Sequence, residues 1–284
     1  MDYSVIETES GEPVEAGYGL IDKCIYYCKK YGLNVVIDLH KTKGFSFDTV
    51  SENGLFDSEE LMDRFVNLWR NIAKRLGGND NIAFELLNEI VDSNGERWNL
   101  LLKRAVEAVR EYAPKTPIIL GGVQWNSVHT LTLIKKPNDN YIVYNFHFYE
   151  PFLFTHQLAP WQPLIADKTI RYPGEIEEYR TRSAEINCFG SGLMNTDKMG
   201  AEFMEKLIIE AVEAARNAGV PLYCGEYGVI DRADIDDTLS WYGDINSVFE
   251  KYQIGRAAWC YKELDFGITD AHYKPHFENI VRLI

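Results

Sequence analysis

The sequence has no long apolar run, and it is short of positive charge and of paired cysteines. No apolar run in the 284 residues reaches the roughly 20 residues that a membrane-spanning helix needs. The 29 basic and 43 acidic residues give a formal net charge of −14 at pH 7. Such a surface repels the phosphates of nucleic acids and anionic lipid headgroups. We therefore expect neither a nucleic acid nor a membrane as a partner.

The five cysteines are odd in number and scattered, so they do not form a disulfide framework. Cys24 and Cys28 lie four residues apart on a predicted helix, and no second pair follows at zinc-site spacing. We expect both to be small buried apolar side chains rather than metal ligands. Residues 1–20 also lack the apolar core of a signal peptide, so the mature chain is either cytoplasmic or has lost a leader.

The sequence does contain short apolar runs that alternate with longer amphipathic runs. Near-continuous apolar runs are typical of parallel strands, which are buried on both faces. The predicted strands cover residues 34–40, 82–89, 116–122, 141–149, 220–226 and 255–263. Predicted helices cover residues 15–31, 58–76, 95–112, 126–134, 198–218, 236–252 and 274–284. No low-complexity linker interrupts this pattern, so we expect residues 1–284 to form one α/β domain.

The segment from about residue 150 to residue 197 fits neither pattern and is predicted to be irregular. A loop of this length inside a compact domain is usually functional. It follows the end of the strand at 141–149, which is where barrel enzymes place their substrate loops. The aromatic residues Trp161, Tyr172 and Phe189 argue against a disordered insert.

Three predicted strands end in polar groups that a purely structural strand does not need. These groups are Asn88 and Glu89 in "FELLNE", His147 and Tyr149 in "NFHFY", and Glu226 in "YCGE". His147 and Tyr149 are two residues apart and face the same side, whereas Asn88 and Glu89 share a side only if the strand twists or bulges as it ends.

A carboxylate at the end of a strand is by itself most often a solvated loop residue. Two of them at the ends of parallel strands favour a catalytic pair. Glycoside hydrolysis needs one carboxylic acid to protonate the leaving oxygen and one carboxylate to attack the anomeric carbon or to activate water. The sequence therefore predicts Glu89 and Glu226 as such a pair.

In their order along the chain, the motifs resemble those of glycoside hydrolase family 5, the cellulase family in a clan of retaining glycosidases. The resemblance covers nearly the whole chain, with "VVIDLH", "FELLNE", "ILGGVQWNS", "NFHFYEPFLFTHQ", "YCGEYG" and "AAWCYKE" similar to the third to eighth strands of the family. It implies a TIM-type (β/α) barrel that cleaves β-1,4-glucan or a related oligosaccharide without a cofactor or metal. The choice among cellulose, mixed-linkage glucan, xyloglucan and mannan stays open.

The resemblance also implies roles for the residues at the strand ends. Glu89 is expected to be the acid/base and Glu226 the nucleophile, with carboxyl groups about 5–5.5 Å apart as in retaining enzymes. Asn88 is expected to contact the sugar 2-hydroxyl group. Tyr149 is the expected hydrogen-bond donor to Glu226.

Other residues are expected to bind the substrate rather than to react with it. His40 and His147 should orient the sugar and the acid, the alternative for each being a satisfied core histidine. Trp259 should stack on the apolar face of a sugar ring, the alternative being core packing. Further candidates for the cleft, each with an equally good structural alternative, are Trp125, Asn126 and Trp161.

The sequence departs from the family at its beginning. The first β/α unit has no counterpart, and the second strand survives at most as its tail, "MDYSVIE". The arginine that supports the nucleophile in the family is therefore absent, and Lys41 stands where many members have a second histidine. Six strands cannot close with eight-stranded geometry. Either a partner copy covers the gap of a partial barrel, as a homodimer, or the sequence lacks its natural N-terminus.

These departures leave two functional alternatives to compare. Without the arginine we expect weak turnover, and the rival hypothesis is a carbohydrate-binding remnant that has lost catalysis. An unrelated phosphate-binding barrel enzyme is disfavoured, because "GEYGV" and "YKELDFG" lack extra glycines and carry acidic residues where a phosphate loop would lie.

Overall fold

A computed structural model of the chain describes residues 1–185 and 196–284. Within these ranges each of the six predicted strands is present, as β1 Val35–Asp38, β2 Ile82–Glu85, β3 Ile118–Gly121, β4 Ile142–Phe148, β5 Leu222–Tyr227 and β6 Gly255–Ala258. They belong to one sheet whose strand order follows the chain. The pairs β1–β2, β2–β3, β3–β4 and β5–β6 are parallel. The predicted α/β fold with six rather than eight strands is confirmed.

The α-helices in the described residues are α1 Glu15–Lys30, α2 Glu59–Leu76, α3 Glu96–Arg110, α4 Phe152–Thr155, α5 Ile176–Glu185, α6 Ala201–Ala218, α7 Ile235–Tyr252 and α8 Phe277–Leu283. Six of these eight α-helices occupy predicted amphipathic runs, and α4 and α5 do not. Short 3₁₀ helices lie at Tyr3–Val5, Val50–Glu52, Leu55–Asp57, Val128–Leu133 and Lys274–His276. Among the described residues, no helix is long and apolar enough to cross a membrane.

Two predictions about local structure were wrong. The helix predicted at 126–134 is a 3₁₀ helix over Val128–Leu133. The segment from 150 to 197, predicted to be irregular, contains α4 and α5 in its described part. Phe189, an aromatic residue of this segment, lies outside the described residues.

The helix α2 illustrates how the sequence builds these elements. Ser58 caps its N-terminus, where the side-chain oxygen accepts a hydrogen bond from the Leu61 backbone N–H at 3.3 Å. Acidic residues occupy its first turn and basic residues its last turn, which complements the helix dipole. On its buried face the Trp69 indole N–H donates to the Leu86 carbonyl at 2.9 Å, and its ring meets Phe84 edge-on. This contact attaches α2 to β2.

The described contacts divide the chain into two compact units. The first unit comprises Met1–Asn145 and Ala215–Pro221, and the second comprises Phe146–Ala214 and Leu222–Ile284. The expectation of a single domain over residues 1–284 stays a prediction.

In the first unit the opening residues continue the sheet beside the end of β1. Asp2 forms a parallel bridge with Lys41, and the Tyr3 backbone N–H donates to the Lys41 carbonyl at 3.1 Å. The His40 backbone N–H donates in turn to the Met1 carbonyl at 2.6 Å. Asp2 thus extends the sheet at this edge by an isolated bridge, and the 3₁₀ helix Tyr3–Val5 follows it.

Large apolar side chains remain exposed on α1, on β1 and between these two elements. This surface, called the α1 face below, consists of Leu20, Tyr26, Tyr31, Leu33 and Val36. β1 is an edge strand of the sheet. Cys24 is also exposed and Cys28 is half-buried, so the expectation that both are buried was wrong. Both cysteines lie on the solvent side of α1.

Candidate active site

The end of β2, in the first unit, presents an amide and a carboxylate in succession. Asn88 is 2% exposed, and its backbone N–H donates to the Leu39 carbonyl at 3.1 Å. Glu89 has a φ of 45°, in the left-handed region. This conformation breaks the alternation of the strand, which was the condition for the two neighbouring side chains to share a side.

The side-chain amide nitrogen of Asn88 is buried and has no hydrogen-bond partner among the described residues. Leaving a buried donor unpaired costs about 1–3 kcal/mol. A buried polar group that has no partner in the protein is commonly satisfied by an ordered water or by a ligand. The Asn88 amide is therefore available to an acceptor on a ligand.

At the end of β1, His40 is held by an acidic neighbour. Its Nδ1 lies 2.7 Å from Oδ2 of Asp38. A carboxylate at this distance selects the tautomer with the proton on Nδ1 and fixes the plane of the ring. The Phe47 ring meets the imidazole edge-on, with centroids 5.0 Å apart. His40 is thus oriented by Asp38 and Phe47.

The loop after β3 projects Trp125 by an unusual backbone path. Gln124, Trp125 and Asn126 have φ values of 50°, 57° and 54°, so three consecutive residues are left-handed. Trp125 remains 39% exposed, while its indole N–H donates to the Phe47 carbonyl at 3.3 Å. The side chains of His40, Phe47 and Trp125, called the aromatic wall below, thus form one connected group within the first unit.

Asn126 lies inward in the same loop. It is fully buried, and a Cβ atom on Gly121 would lie 2.3 Å from its side-chain oxygen. Glycine at position 121 therefore makes room for the amide. This burial favours the structural alternative for Asn126 over a direct contact with substrate.

In the second unit, two residues of the β4 end converge on Glu226 of β5. The Tyr149 hydroxyl donates to Oε2 of Glu226 at 3.0 Å, and Nδ1 of His147 lies 3.5 Å from the same oxygen. His147 is 4% exposed and Tyr149 is half-buried. Both side chains face the same side, as their spacing predicted. A hydrogen bond donated to a carboxylate stabilises its ionised form.

Trp259 follows β6 and depends on a glycine after β5. A Cβ atom on Gly228 would lie 2.3 Å from the Trp259 carbonyl oxygen, so only glycine permits this approach. The Trp259 backbone N–H donates to the Tyr227 carbonyl at 2.9 Å. The Trp259 residue is half-buried, which leaves part of it accessible to a ligand and argues against simple core packing.

Trp161 is 52% exposed in the loop between α4 and α5. Within residues 1–185 and 196–284, no hydrogen bond or ring contact joins Trp161 to Tyr149 or Glu226. The structure therefore does not bring Trp161 into the cluster around Glu226.

Sequence reasoning missed two features near these strand ends. Glu85 is a buried carboxylate within β2, and the Asn145 side-chain amide donates to it at 2.7 Å. The signal for Glu85 in the sequence is an acidic residue inside an otherwise apolar predicted strand. His156 in "FLFTHQ" lies against Tyr149, with ring centroids 5.0 Å apart. Burial lowers the pKa of His156 to about 3.

Comparisons with known proteins extend over most of the chain. The sequence profile of the cellulase family, glycosyl hydrolase family 5, matches residues 3–265. Endoglucanase C of Acetivibrio thermocellus is 38% identical over 291 aligned residues, which cover 100% of this chain and 84% of the relative. Cellodextrinase A of Ruminococcus flavefaciens is 41% identical over 262 residues, covering 90% of this chain and 71% of the relative.

The fold is likewise shared with solved structures. Thermotoga maritima Cel5A in complex with cellobiose has a TM-score of 0.73 and 26% identity, over 95% of this chain and 79% of that chain. A crystal structure described as a glycoside hydrolase has a TM-score of 0.81 at 19% identity, over 100% of this chain and 87% of that chain.

Proposed function

Because the chain belongs to glycosyl hydrolase family 5, the cellulase family, we propose that it is a retaining hydrolase of β-1,4-glucan-type polysaccharides or oligosaccharides. Its relatives include proteins named as endoglucanases and as a cellodextrinase. These comparisons confirm the family that the strand-end motifs predicted. The predicted TIM-type architecture is confirmed in its partial, six-stranded form.

The observation that carries the proposed mechanism is the hydrogen bond from the Tyr149 hydroxyl to Glu226. In the proposed first step the ionised Glu226 attacks the anomeric carbon, while the protonated Glu89 gives its proton to the leaving oxygen. A covalent glycosyl–enzyme ester forms as the glycosidic bond breaks. Glu89 then removes a proton from water, the water oxygen bonds to the anomeric carbon, and Glu226 leaves. Retention requires the two carboxyl groups to be about 5–5.5 Å apart.

We propose that the unpaired Asn88 amide binds the 2-hydroxyl group of the sugar that reacts. Its Nδ2 is a buried donor whose partner is absent among the described residues. Hydrogen bonds to this hydroxyl group strengthen as the oxocarbenium-like transition state forms, so the contact raises the rate as well as the affinity. The partly exposed Trp259 is proposed as a stacking surface, and His40 and His147 as groups that orient the sugar and the acid.

The aromatic wall favours an oligosaccharide or a polysaccharide as the substrate. Trp125 is fixed through its indole N–H and still exposes part of its ring. Flat, partly exposed aromatic rings suit the apolar faces of pyranoses, and they cost little side-chain entropy when they bind. Such a surface binds neutral ligands, which agrees with a net charge of −14 that repels anionic ones.

The first experiment measures hydrolysis of an aryl β-cellobioside by the wild-type chain and by Glu226→Gln. Loss of the nucleophile should lower kcat by about 10⁴-fold or more. Glu278→Gln, which changes an exposed glutamate of α8, is the matched control and should keep wild-type activity. A wild-type chain that binds cellobiose but releases no aglycone would support the carbohydrate-binding alternative.

A second experiment tests Glu89 as the acid/base. Glu89→Ala should be slow on a substrate with a poor leaving group, because no acid protonates the departing oxygen. Azide, which needs no general base, should restore turnover of an activated aryl substrate and give a β-glycosyl azide. An α-glycosyl azide, or no response to azide, would contradict a retaining mechanism in which Glu89 has this role.

We also propose that a second copy of the chain covers the edge strand β1 and the α1 face, as a homodimer. The support is the cluster of exposed large apolar side chains at this edge. An unpaired edge strand readily pairs with another chain. Light scattering coupled to gel filtration should give twice the 32.6 kDa mass of one chain. A monodisperse monomer would contradict the proposal.

A further inference from the structure

The ring of Tyr149 contacts two other aromatic rings in the second unit. The His156 ring meets it edge-on at 5.0 Å between centroids, and the Phe266 ring does so at 5.8 Å. His156 itself stacks on Phe152 at 4.4 Å and meets Phe266 edge-on at 5.3 Å. Tyr149, Phe152, His156 and Phe266 are called the aromatic box below. Within it, His156 contacts each of the other three rings.

His156 is also linked to the main chain of Tyr149. The Thr155 hydroxyl donates a hydrogen bond to the Tyr149 carbonyl, and its oxygen lies 3.0 Å from Nδ1 of His156. The hydroxyl has a single proton, which the carbonyl receives, so Nδ1–H of His156 is the donor to Thr155. His156 therefore fixes Tyr149 through its ring and, by way of Thr155, through its backbone.

The imidazole of His156 is neutral at the pH where such an enzyme works. Burial lowers the pKa of His156 to about 3, because the charged form would lose its hydration. Within the described residues no hydrogen bond or ion pair joins His156 to Glu226, in contrast to His147. A neutral ring without such a contact does not stabilise the carboxylate directly.

We infer that His156 is a positioning residue for the nucleophile, which holds Tyr149 so that its hydroxyl stays on Oε2 of Glu226. The inference rests on the proposed role of Glu226 and deepens it. Tyr149 is half-buried, so burial alone does not fix the position of its ring. The aromatic box and Thr155 supply the confinement, and His156 is the member common to both.

The kinetic test is a double-mutant cycle with Tyr149→Phe and His156→Ala, measured on an aryl β-cellobioside. Each single variant should lower kcat by about 10-fold or more with little change in KM, since both remove stabilisation of Glu226 rather than substrate contacts. In the Tyr149→Phe background, His156→Ala should lower kcat by less than about 2-fold, because the hydroxyl group that His156 positions is absent.

A matched control changes the same short helix without touching Tyr149. Phe154 is fully buried on α4, and its ring stacks on Tyr172 rather than on the aromatic box. Phe154→Leu should lower the melting temperature and leave kcat unchanged. An equal loss of kcat in Phe154→Leu would mean that any damage to α4 has this effect, and would overturn the inference.

A crystal structure of His156→Ala provides a readout that needs no activity. The distance from the Tyr149 hydroxyl to Oε2 of Glu226, 3.0 Å in the wild-type chain, should exceed 3.5 Å in the variant. An unchanged distance would overturn the inference, as would equal losses from His156→Ala in both backgrounds of the cycle. The proposed function fails on a different result, which is full activity in Glu226→Gln.

Discussion

The two compact units differ in whether the hydrogen-bond donor at the end of a strand already has an acceptor. In the first unit the Asn88 amide nitrogen is buried without a partner among the described residues. In the second unit the Tyr149 hydroxyl already donates to Glu226 at 3.0 Å, and the Tyr149 ring contacts His156 and Phe266. One donor is kept open, and the other is engaged before any ligand arrives.

In the proposed mechanism, the difference follows from what each donor has to stabilise. A nucleophilic carboxylate carries its charge in the free enzyme, so its donor can be in place from the start. A sugar hydroxyl group arrives only with the substrate, so the donor that binds it must wait unpaired. A donor that is already engaged favours the stability of the folded chain. A buried donor that waits for a ligand reduces it, which is a common feature of binding sites.

The largest effect that would sharpen this comparison is expected from Asn88→Ala. Loss of a contact that tightens in the transition state should lower kcat/KM by about 10²–10³-fold. The free energy of unfolding should stay the same or rise, because the variant removes a buried donor without a partner. Urea unfolding and aryl cellobioside kinetics measure the two quantities. A loss of stability above about 2 kcal/mol would instead assign Asn88 a structural role.

A second prediction compares one glycine from each unit. A Cβ atom at Gly228 would meet the backbone carbonyl of Trp259 at 2.3 Å, and one at Gly121 would meet the side-chain oxygen of Asn126 at 2.3 Å. Because a backbone cannot rotate away, Gly228→Ala should cost about 2–3 kcal/mol of unfolding free energy and Gly121→Ala about 1 kcal/mol. Urea denaturation of both variants gives the values. Equal costs would show that the buried Asn126 amide is as immobile as the Trp259 backbone.

A third prediction concerns the uncharged histidine of the second unit. The pKa of His156 is about 3 in the folded chain and about 6.5 in an unfolded one. Between these values only the unfolded chain takes up the proton, so the stability that His156 contributes is complete above pH 6.5 and is lost as the pH falls toward 3. His156→Phe removes this term. From pH 7 to pH 4.5 the melting temperature of the wild-type chain should fall about 2–4 °C further than that of the variant. Equal falls would contradict a neutral His156.

The smallest effect is expected at the aromatic wall of the first unit. Trp125→Ala removes one partly exposed stacking surface and should raise KM for a cello-oligosaccharide about 3–5-fold without changing kcat. Trp161→Ala is the matched comparison, since Trp161 is more exposed and its indole has no hydrogen bond within the described residues. A larger rise in KM for Trp161→Ala than for Trp125→Ala would contradict the proposal that the ordered Trp125 indole binds the sugar chain.

The strands and most of the helices could be predicted because their burial is visible in the sequence. β3 is an example, since each of its four residues is buried and its apolar run is continuous. The helix α5 was not predicted, because Tyr179 and Ser183 are its buried residues and the run contains no repeated apolar face. Such a helix depends on the chain around it rather than on its own pattern.

The candidate site could be predicted only in part. The polar strand ends Asn88, Glu89 and Glu226 stood out because each interrupts or ends an apolar run. The left-handed path of Gln124–Asn126 could not be predicted, since Trp and Gln rarely adopt positive φ and only the surrounding structure holds them there. His156 was missed because one of its ring contacts, Phe266, lies 110 positions further along the chain.

The α1 face has a consequence for handling the protein in solution. Its exposed tyrosines and aliphatic side chains favour adhesion between molecules, and the net charge of −14 on every copy opposes it. Dissolved ions weaken that repulsion, whose range shrinks from about 30 Å at 0.01 M salt to about 8 Å at 0.15 M. Ionic strength should therefore determine how readily two copies of the chain associate through the α1 face.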